Sequence, residues 1–172
     1  MILDNMTRDS SPVRAERDIR QRVKNLNLDL ASIDVVHNIF RASTAMRNCY
    51  EQELLVQHNL TFTGFTTLWV LWVWGSMEAY QLAEEVGISK STLTGAVKTL
   101  ERLNLAERLP HARDGRRIIV RATRKGKSLV RALYPRFNAL EKEITSDLSK
   151  GEKAKLAKGL RVLLHTLEKR DK

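Results

Sequence analysis

The sequence predicts a mainly α-helical fold with one small β-hairpin, that is, an α+β fold. Apolar residues recur every three or four positions along most of the 172-residue chain, which is typical of amphipathic helices. Two strand-like runs, 105–109 and 117–122, are separated by a charged segment rich in turn residues. Two short helical segments meet at a turn that contains Gly87. Together these elements predict a winged helix-turn-helix lobe between N- and C-terminal dimerisation helices.

The N-terminal part of the chain is predicted to be a polar arm followed by a long helix. Residues 14–27 are highly charged and favour a short helix or an ordered arm. From about Asp29 to Gln57, one helical face consists of positions spaced three or four apart: Ile33, Val36, Phe40, Ser43, Met46, Tyr50 and Leu54. Such a face requires a packing partner, so we interpret this segment as the first dimerisation helix.

The next helix is predicted to be buried. Thr61 is placed to cap it, and Gly75 ends it, because glycine adopts the left-handed backbone that terminates a helix. The residues between them are apolar nearly all round and include Trp69, Trp72 and Trp74. The simplest interpretation places these tryptophans in the core.

The helix-turn-helix follows directly. A short helix opens at Ser76 or Met77 and ends at Gly87, and Ser89 caps a second helix that ends near Asn104. Apolar positions recur along the second helix and are expected to face the core: Leu93, Val97, Leu100 and Leu103. The opposite face of this helix is therefore short, polar and cationic.

A hairpin, or wing, and two long helices complete the chain. The hairpin tip is predicted at 110–115, and Thr123 caps a long helix. Pro135 lies inside that helix and is expected to kink it without breaking it, because the apolar period runs straight through. Ser149 and Glu152 have the spacing of a capping box for the terminal helix.

Positive charge is concentrated around the predicted helix-turn-helix and hairpin. The segment 89–131 contains 12 Lys and Arg against three acids, which gives +9 of the formal net charge of +10. A solvated charged surface usually mixes positive and negative residues, whereas the charged residues of this segment are mostly positive. The distribution indicates a surface that binds phosphate groups, as on nucleic acid.

The second helix of a helix-turn-helix places its N-terminal residues in the DNA major groove. The DNA contacts predicted on this helix are Ser89, Lys90, Ser91, Thr92, Thr94, Lys98 and Arg102. For Ser89 and Thr92, plain helix capping is the alternative. Lys98 and Arg102 are expected on phosphates. In the hairpin, Arg116 is suited to the narrow minor groove with Asp114 as its support, and Arg113 and Arg117 are further predicted contacts.

Other classes of protein are disfavoured by the sequence. There is no nucleophile elbow, phosphate-binding glycine loop or cluster with metal-ligand spacing, so an enzyme, a metal site and a cofactor are not expected. An RNA-binding module is disfavoured because the aromatic residues fall on buried helical positions. The longest apolar run, 68–74, is too short to span a bilayer, and the polar N-terminus does not resemble an export signal. A cytoplasmic location, on the nucleoid when DNA is bound, is expected.

Three segments together resemble the multiple antibiotic resistance regulator (MarR) family of bacterial transcription factors. They are LTFTGFTTLWVL, QLAEEVGISKSTLTGAVKTLERLNLAER and DGRRIIVRATRKGK, and the resemblance covers roughly Asp29 to Lys169. It implies a triangular homodimer in which N- and C-terminal helices of both subunits interlock. It also implies that Asp114 and Arg116 occupy the places of the family's wing pair.

The resemblance further implies a small aromatic or anionic effector that binds between the dimer helices and the DNA lobe and weakens DNA binding. The ligand contacts predicted on this basis are His37, Arg41, Tyr50, Trp69 and Trp72. A repressor of this kind is the main hypothesis. One alternative is an activator or an architectural anti-silencer without a ligand switch. Another is a redox-sensing repressor that uses Cys49, although that cysteine lies late in its helix and nothing in the sequence indicates a depressed thiol pKa.

The predicted regions of the chain follow from these elements. Residues 1–28 form the polar arm and short helix, 29–60 the first dimerisation helix, 61–123 the DNA-binding lobe and 124–172 the C-terminal dimerisation helices. The partners expected are double-stranded DNA, a second copy of the chain and a small effector, with no membrane.

Overall fold

A computed structural model describes residues 12–111 and 114–170, with only the backbone described at Pro12, Gly115 and Arg116. The chain divides into two compact units, one up to Tyr50 and one from Glu51 onwards. The structure is mainly helical with a small antiparallel sheet, which confirms the predicted fold class. In the described ranges, no helix is both long and apolar enough to cross a membrane.

From residue 12 onwards, the first unit consists of two helices, α1 (Pro12–Arg22) and α2 (Leu30–Tyr50). Asp29 begins α2: its carboxylate accepts hydrogen bonds from Ser32 N at 3.1 Å and Ser32 Oγ at 2.7 Å. These hydrogen bonds lower the pKa of Asp29 below its ordinary value. Polar contacts join the two helices, with Arg20 paired to Asp34 and Asn38 Nδ2 donating to Glu16 Oε1 at 2.6 Å.

The predicted single helix from Asp29 to Gln57 is wrong in its last part. The α-helix ends at Tyr50 and is followed by a π-helical turn, Glu51–Leu55, and a 3₁₀ turn, Val56–His58. In this arrangement Glu51 Oε1 accepts a hydrogen bond from Phe62 N at 2.7 Å. Glu51 thus satisfies one of the free N–H groups at the start of the next helix, a long-range contact that periodicity does not reveal.

The next three helices are α3 (Phe62–Trp74), α4 (Ala79–Val86) and α5 (Lys90–Arg102). Thr61 caps α3 by accepting from Gly64 N at 3.1 Å, as predicted. Gly75 and Gly87, with φ of 86° and 71°, end α3 and α4 in conformations that favour glycine. The pair α4 and α5 is the predicted helix-turn-helix.

A short strand precedes α4 where a helix was predicted. Met77 and Glu78 form β1 (Met77–Glu78), which pairs with Val120 and Ile119 of β3 (Asp114–Ala122). The remaining strand, β2 (Ala106–His111), pairs with the other edge of β3, so the sheet order is β1-β3-β2. Pairing with β3 therefore decides the conformation of these two residues, and α4 starts only at Ala79.

The hairpin strands extend further towards the tip than predicted. Pro110 pairs with Ile118 and His111 with Asp114, with a register shift between Pro110 and His111. The prediction that Asp114 lies in the tip is wrong, because it is the first residue of β3. A local irregularity allows a strand to accommodate a proline, which has no N–H to donate. Residues 112–113, between the strands, lie outside the described ranges.

The chain ends in α6 (Arg124–Ile144) and α7 (Lys150–Arg170). Helix α6 runs unbroken through Pro135, and its apolar face is buried at Val130, Leu133, Phe137 and Leu140. The predicted capping box of α7 is present: Glu152 N donates to Ser149 Oγ at 3.3 Å, and Ser149 N donates to Glu152 Oε2 at 2.8 Å.

Helices α3 to α6 and the sheet share one core. Phe65 of α3 stacks on Phe137 of α6, with ring centroids 4.2 Å apart. The largest fully buried apolar side chains are Leu55, Leu68, Leu71, Leu82, Val97, Leu100, Val120, Val130 and Leu133. The prediction that the three tryptophans of α3 lie in the core is wrong for Trp74, the last residue of the helix, which is 56% exposed.

Candidate nucleic-acid interface

Helix α5 separates an apolar face from a cationic one. Leu93, Val97 and Leu100 are between 0 and 3% exposed. The polar residues predicted to contact DNA are all exposed on the rest of the helix: Lys90, Ser91, Thr92, Thr94, Lys98 and Arg102. The apolar side fixes α5 in the lobe, so the exposed residues form a surface of defined orientation, which we call the recognition face.

The hydroxyl groups at the start of α5 bond to one another and to the backbone. Ser89 Oγ accepts from Thr92 N at 3.1 Å and lies 2.9 Å from Ser91 Oγ and 2.8 Å from Thr92 Oγ1. Thr94 Oγ1 donates to Lys90 O at 2.9 Å. Ser89 is therefore the N-cap, and a DNA contact from these hydroxyls remains a prediction.

Arg108 of β2 ties the hairpin to the recognition helix. Its guanidinium donates to Thr94 O at 3.1 Å and lies 3.3 Å from Glu101 Oε2. Sequence reasoning missed this residue, because a strand and a helix meet here only after folding. The hairpin is thus joined to α5 at mid-helix.

Arg117 is predicted as a DNA contact, and the structure places its guanidinium on Glu78. Arg117 Nε donates to Glu78 Oε2 at 2.6 Å, and a second guanidinium N–H donates to Oε1, so the pair is bidentate. The hydrogen bond to Glu78 raises the pKa of Arg117 above its ordinary value. Glu78 pairs with Ile119 across the sheet, which makes Arg117 its diagonal neighbour.

A cleft of about 320 Å³ lies between the start of α5 and strand β3. Its polar lining comes from Glu78, Tyr80, Lys90, Thr94 and Arg117. The sequence did not predict Glu78 or Tyr80 as functional residues. Their only sequence signal is their position, because Glu78 lies just before α4 and Tyr80 lies in its first turn. The cleft separates the two elements expected to touch DNA.

The remaining predicted wing contacts are only partly described. Arg113 and the side chain of Arg116 lie outside the described residues, so the predicted Asp114–Arg116 pair stays a prediction. Asp114 itself is exposed at the start of β3.

The predicted ligand residues fall in both units of the chain. His37, Arg41 and Tyr50 are on α2, whereas Trp69 and Trp72 are half-buried on α3. Trp69 makes an edge contact with Trp74 at 5.5 Å, and Trp72 lies 5.9 Å from the ring of Tyr134. A shared ligand pocket therefore stays a prediction. Cys49 is half-buried on α2, and the described residues contain no His, Cys, Asp and Glu cluster suited to a metal ion.

A helix-turn-helix followed by an antiparallel hairpin, with a cationic second helix, defines a winged helix-turn-helix DNA-binding transcriptional regulator. The MarR family model matches residues 60–118, from α3 to the middle of β3. The chain is also 34% identical over 159 residues to YwaE, an HTH-type transcriptional regulator of Bacillus subtilis (strain 168), covering 89% of this chain and 93% of that one. The protein belongs to the MarR family.

Solved structures agree with this assignment. The chain is similar to S. aureus MepR in a complex with DNA, with a TM-score of 0.69 and 25% identity over 76% of this chain and 96% of that one. The fold of a mutant MarR from E. coli, complexed with operator DNA, is also similar, with a TM-score of 0.71 and 21% identity over 78% and 96% of the two chains.

Proposed function

We propose that this regulator is a cytoplasmic homodimeric repressor that binds a pseudo-palindromic DNA operator and is released by a small aromatic or anionic effector. The observation that carries the proposal is the exposed recognition face of α5, held beside a β-hairpin in a segment with nearly all of the chain's net positive charge. The similarity to MepR, which was solved in a complex with DNA, supports DNA binding by this chain.

In this proposal, α5 enters the major groove and the hairpin reaches the adjoining minor groove. Lys90, Ser91 and Thr94 are at the N-terminal end of α5, where a recognition helix meets base edges. Lys98 and Arg102 lie further along and contact phosphates. In a twofold dimer, the two copies of α5 read half-sites about one helical turn apart.

The C-terminal helix supports a dimer. None of the residues in α7 is buried, and four of its five leucines, Leu156, Leu160, Leu163 and Leu167, are 37–56% exposed. They follow one another at intervals of four, three and four residues, which places them on a single helical face. A continuous exposed apolar face of this kind marks a protein interface, and we propose a second copy of the chain as its partner.

Replacing Leu160 by glutamate is expected to convert the dimer into monomers at micromolar concentration. The substitution puts a charge in the centre of the apolar face, where burial without a partner is costly. Sedimentation or light scattering measures the mass directly.

Ala154→Glu is the matched control, because Ala154 is exposed on the opposite side of α7 and the added charge is the same. The control should remain dimeric. A wild-type protein that is monomeric, or a Leu160→Glu dimer as tight as wild type, would contradict the proposed interface.

The repressor and effector parts of the proposal have their own test. Mapping the bound site against the promoter distinguishes repression, in which the site overlaps the polymerase site, from activation at an upstream site. An aromatic carboxylate such as salicylate, titrated into the protein–DNA complex, should release the DNA if the effector class is right, and complete insensitivity to such compounds would favour a regulator without a ligand switch.

A further inference from the structure

We infer that Glu78 and Arg117 form a positioning pair that sets the distance between the recognition helix and the wing, and that Arg117 acts on DNA binding through Glu78. The inference rests on the proposed placement of α5 and the hairpin on DNA. It assigns to Arg117 a role different from the direct DNA contact that its charge suggests.

The geometry of the pair satisfies Arg117 within the protein. Two of its guanidinium N–H groups are occupied by the two carboxylate oxygens of Glu78. The Glu78 side chain is only 12% exposed, while that of Arg117 is 45% exposed. A bidentate pair of this kind fixes the relative orientation of both planar groups. Because Glu78 holds the guanidinium, any phosphate contact by the remaining N–H groups of Arg117 depends on the position that the pair sets.

The pair joins the two parts of the DNA-binding lobe. Glu78 is the N-cap residue of α4. Its backbone N–H donates a hydrogen bond to Gln81 Oε1 in the first turn of that helix, at 3.3 Å. Arg117 is on β3, the strand that leads from the wing tip. The bond between them therefore connects the start of the helix-turn-helix to the wing, on one wall of the 320 Å³ cleft.

A second contact holds the other strand of the wing. Arg108 on β2 donates to Thr94 O and lies close to Glu101, both on α5. The two strands of the hairpin are thus attached to the two helices of the helix-turn-helix. Because the wing and α5 of each subunit must meet adjoining grooves together, a change in this distance moves the wing out of its groove while α5 stays in place, and the overall affinity falls.

The substitution Glu78→Gln distinguishes a positioning role of Arg117 from a direct DNA contact, because the two roles predict opposite changes in DNA affinity. If Arg117 contacts DNA, Glu78→Gln removes a negative charge near the DNA and frees Arg117, so affinity should rise. If the pair positions the wing, Glu78→Gln should weaken binding roughly tenfold, as Arg117→Gln does. The double variant should bind no more weakly than the weaker single variant, because both remove the same interaction.

The matched control is the pair of Glu107 and Arg121, 2.7 Å apart and on neighbouring strands of the same sheet. It is an arginine–glutamate pair that joins β2 to β3 within the hairpin, through a hydrogen bond from Arg121 Nε to Glu107 Oε1. Glu107→Gln and Arg121→Gln therefore repeat both charge changes without altering the attachment to the helices. Glu107→Gln is expected to leave affinity unchanged or slightly raised.

The experiment measures the affinity of the full-length dimer for its selected operator, together with a hydroxyl-radical footprint. We expect Glu78→Gln to lose protection at the flanks, where the wing lies, and to keep protection in the centre of each half-site. The melting temperature should fall by less than about 4 °C, because a partly exposed ion pair contributes little to folding. Tighter or unchanged binding by Glu78→Gln, or equal weakening by Glu107→Gln, would overturn the inference; failure of the wild type to bind DNA would instead reject the proposed function.

Discussion

Replacing Gly126 by alanine is expected to lower the free energy of unfolding by about 3 kcal/mol or more. A Cβ at this position would lie 2.0 Å from Leu105 O and 3.0 Å from Leu68 Cδ1. Leu105 O is a backbone atom, and it also accepts a hydrogen bond from Thr123 N at 3.0 Å. Leu105 O cannot move away without disturbing the backbone that joins α5 to β2 and its hydrogen bond to Thr123 at the start of α6. Thermal or urea unfolding measures the loss, which corresponds to a fall in Tm of roughly 10 °C.

Gly159→Ala provides the comparison for this prediction. Gly159 is also inside a helix, but a Cβ there meets nothing within 4 Å. Alanine has the better helix propensity, so this variant should be neutral or more stable by up to about 1 kcal/mol. Equal stabilities for the two variants would show that the close approach at Gly126 is relieved at no cost.

The second large effect is expected at the recognition face. Changing Lys90 and Lys98 to glutamine together should weaken operator binding by about 100-fold, as a charged contact to phosphate or base is worth roughly tenfold or more. The slope of log affinity against log salt should fall by about 1 for each phosphate contact removed. Fluorescence anisotropy with labelled operator at several salt concentrations gives both quantities.

Lys155→Gln with Lys158→Gln removes the same two charges from α7, far along the sequence from the recognition face. This control should retain nearly full affinity and an unchanged salt slope. If both double variants lost affinity equally, the effect would come from net charge, and α5 would not be the DNA-reading helix.

Much of the fold could be predicted because local signals agree with the final structure. The caps Thr61, Ser89 and Thr123 all bond to the backbone as their spacing predicts, and Gly87 ends α4 in the left-handed region. The helix α6 also continues through Pro135, as its unbroken apolar period predicts. These features depend on residues a few positions apart, which a sequence displays directly.

The features that could not be predicted depend on pairing between distant residues. Strand β1 has only two residues, too few to show a period, and it exists because β3 offers an unpaired edge. The bond between Glu78 and Arg117 spans 39 positions. In the sequence, Arg117 is one of many basic residues in its segment. Only the strand register shows that it is the diagonal neighbour of Glu78.

Selection of bound sequences from a random DNA pool by the purified full-length protein tests the central claim most directly. Two copies of the recognition face related by a twofold axis should recover an inverted repeat, with half-sites centred about one helical turn apart. The same repeat should be lost when the selection uses the Lys90 and Lys98 double variant. Recovery of a single unrepeated motif, or no enrichment over the starting pool, would contradict the account of a dimeric, sequence-specific regulator.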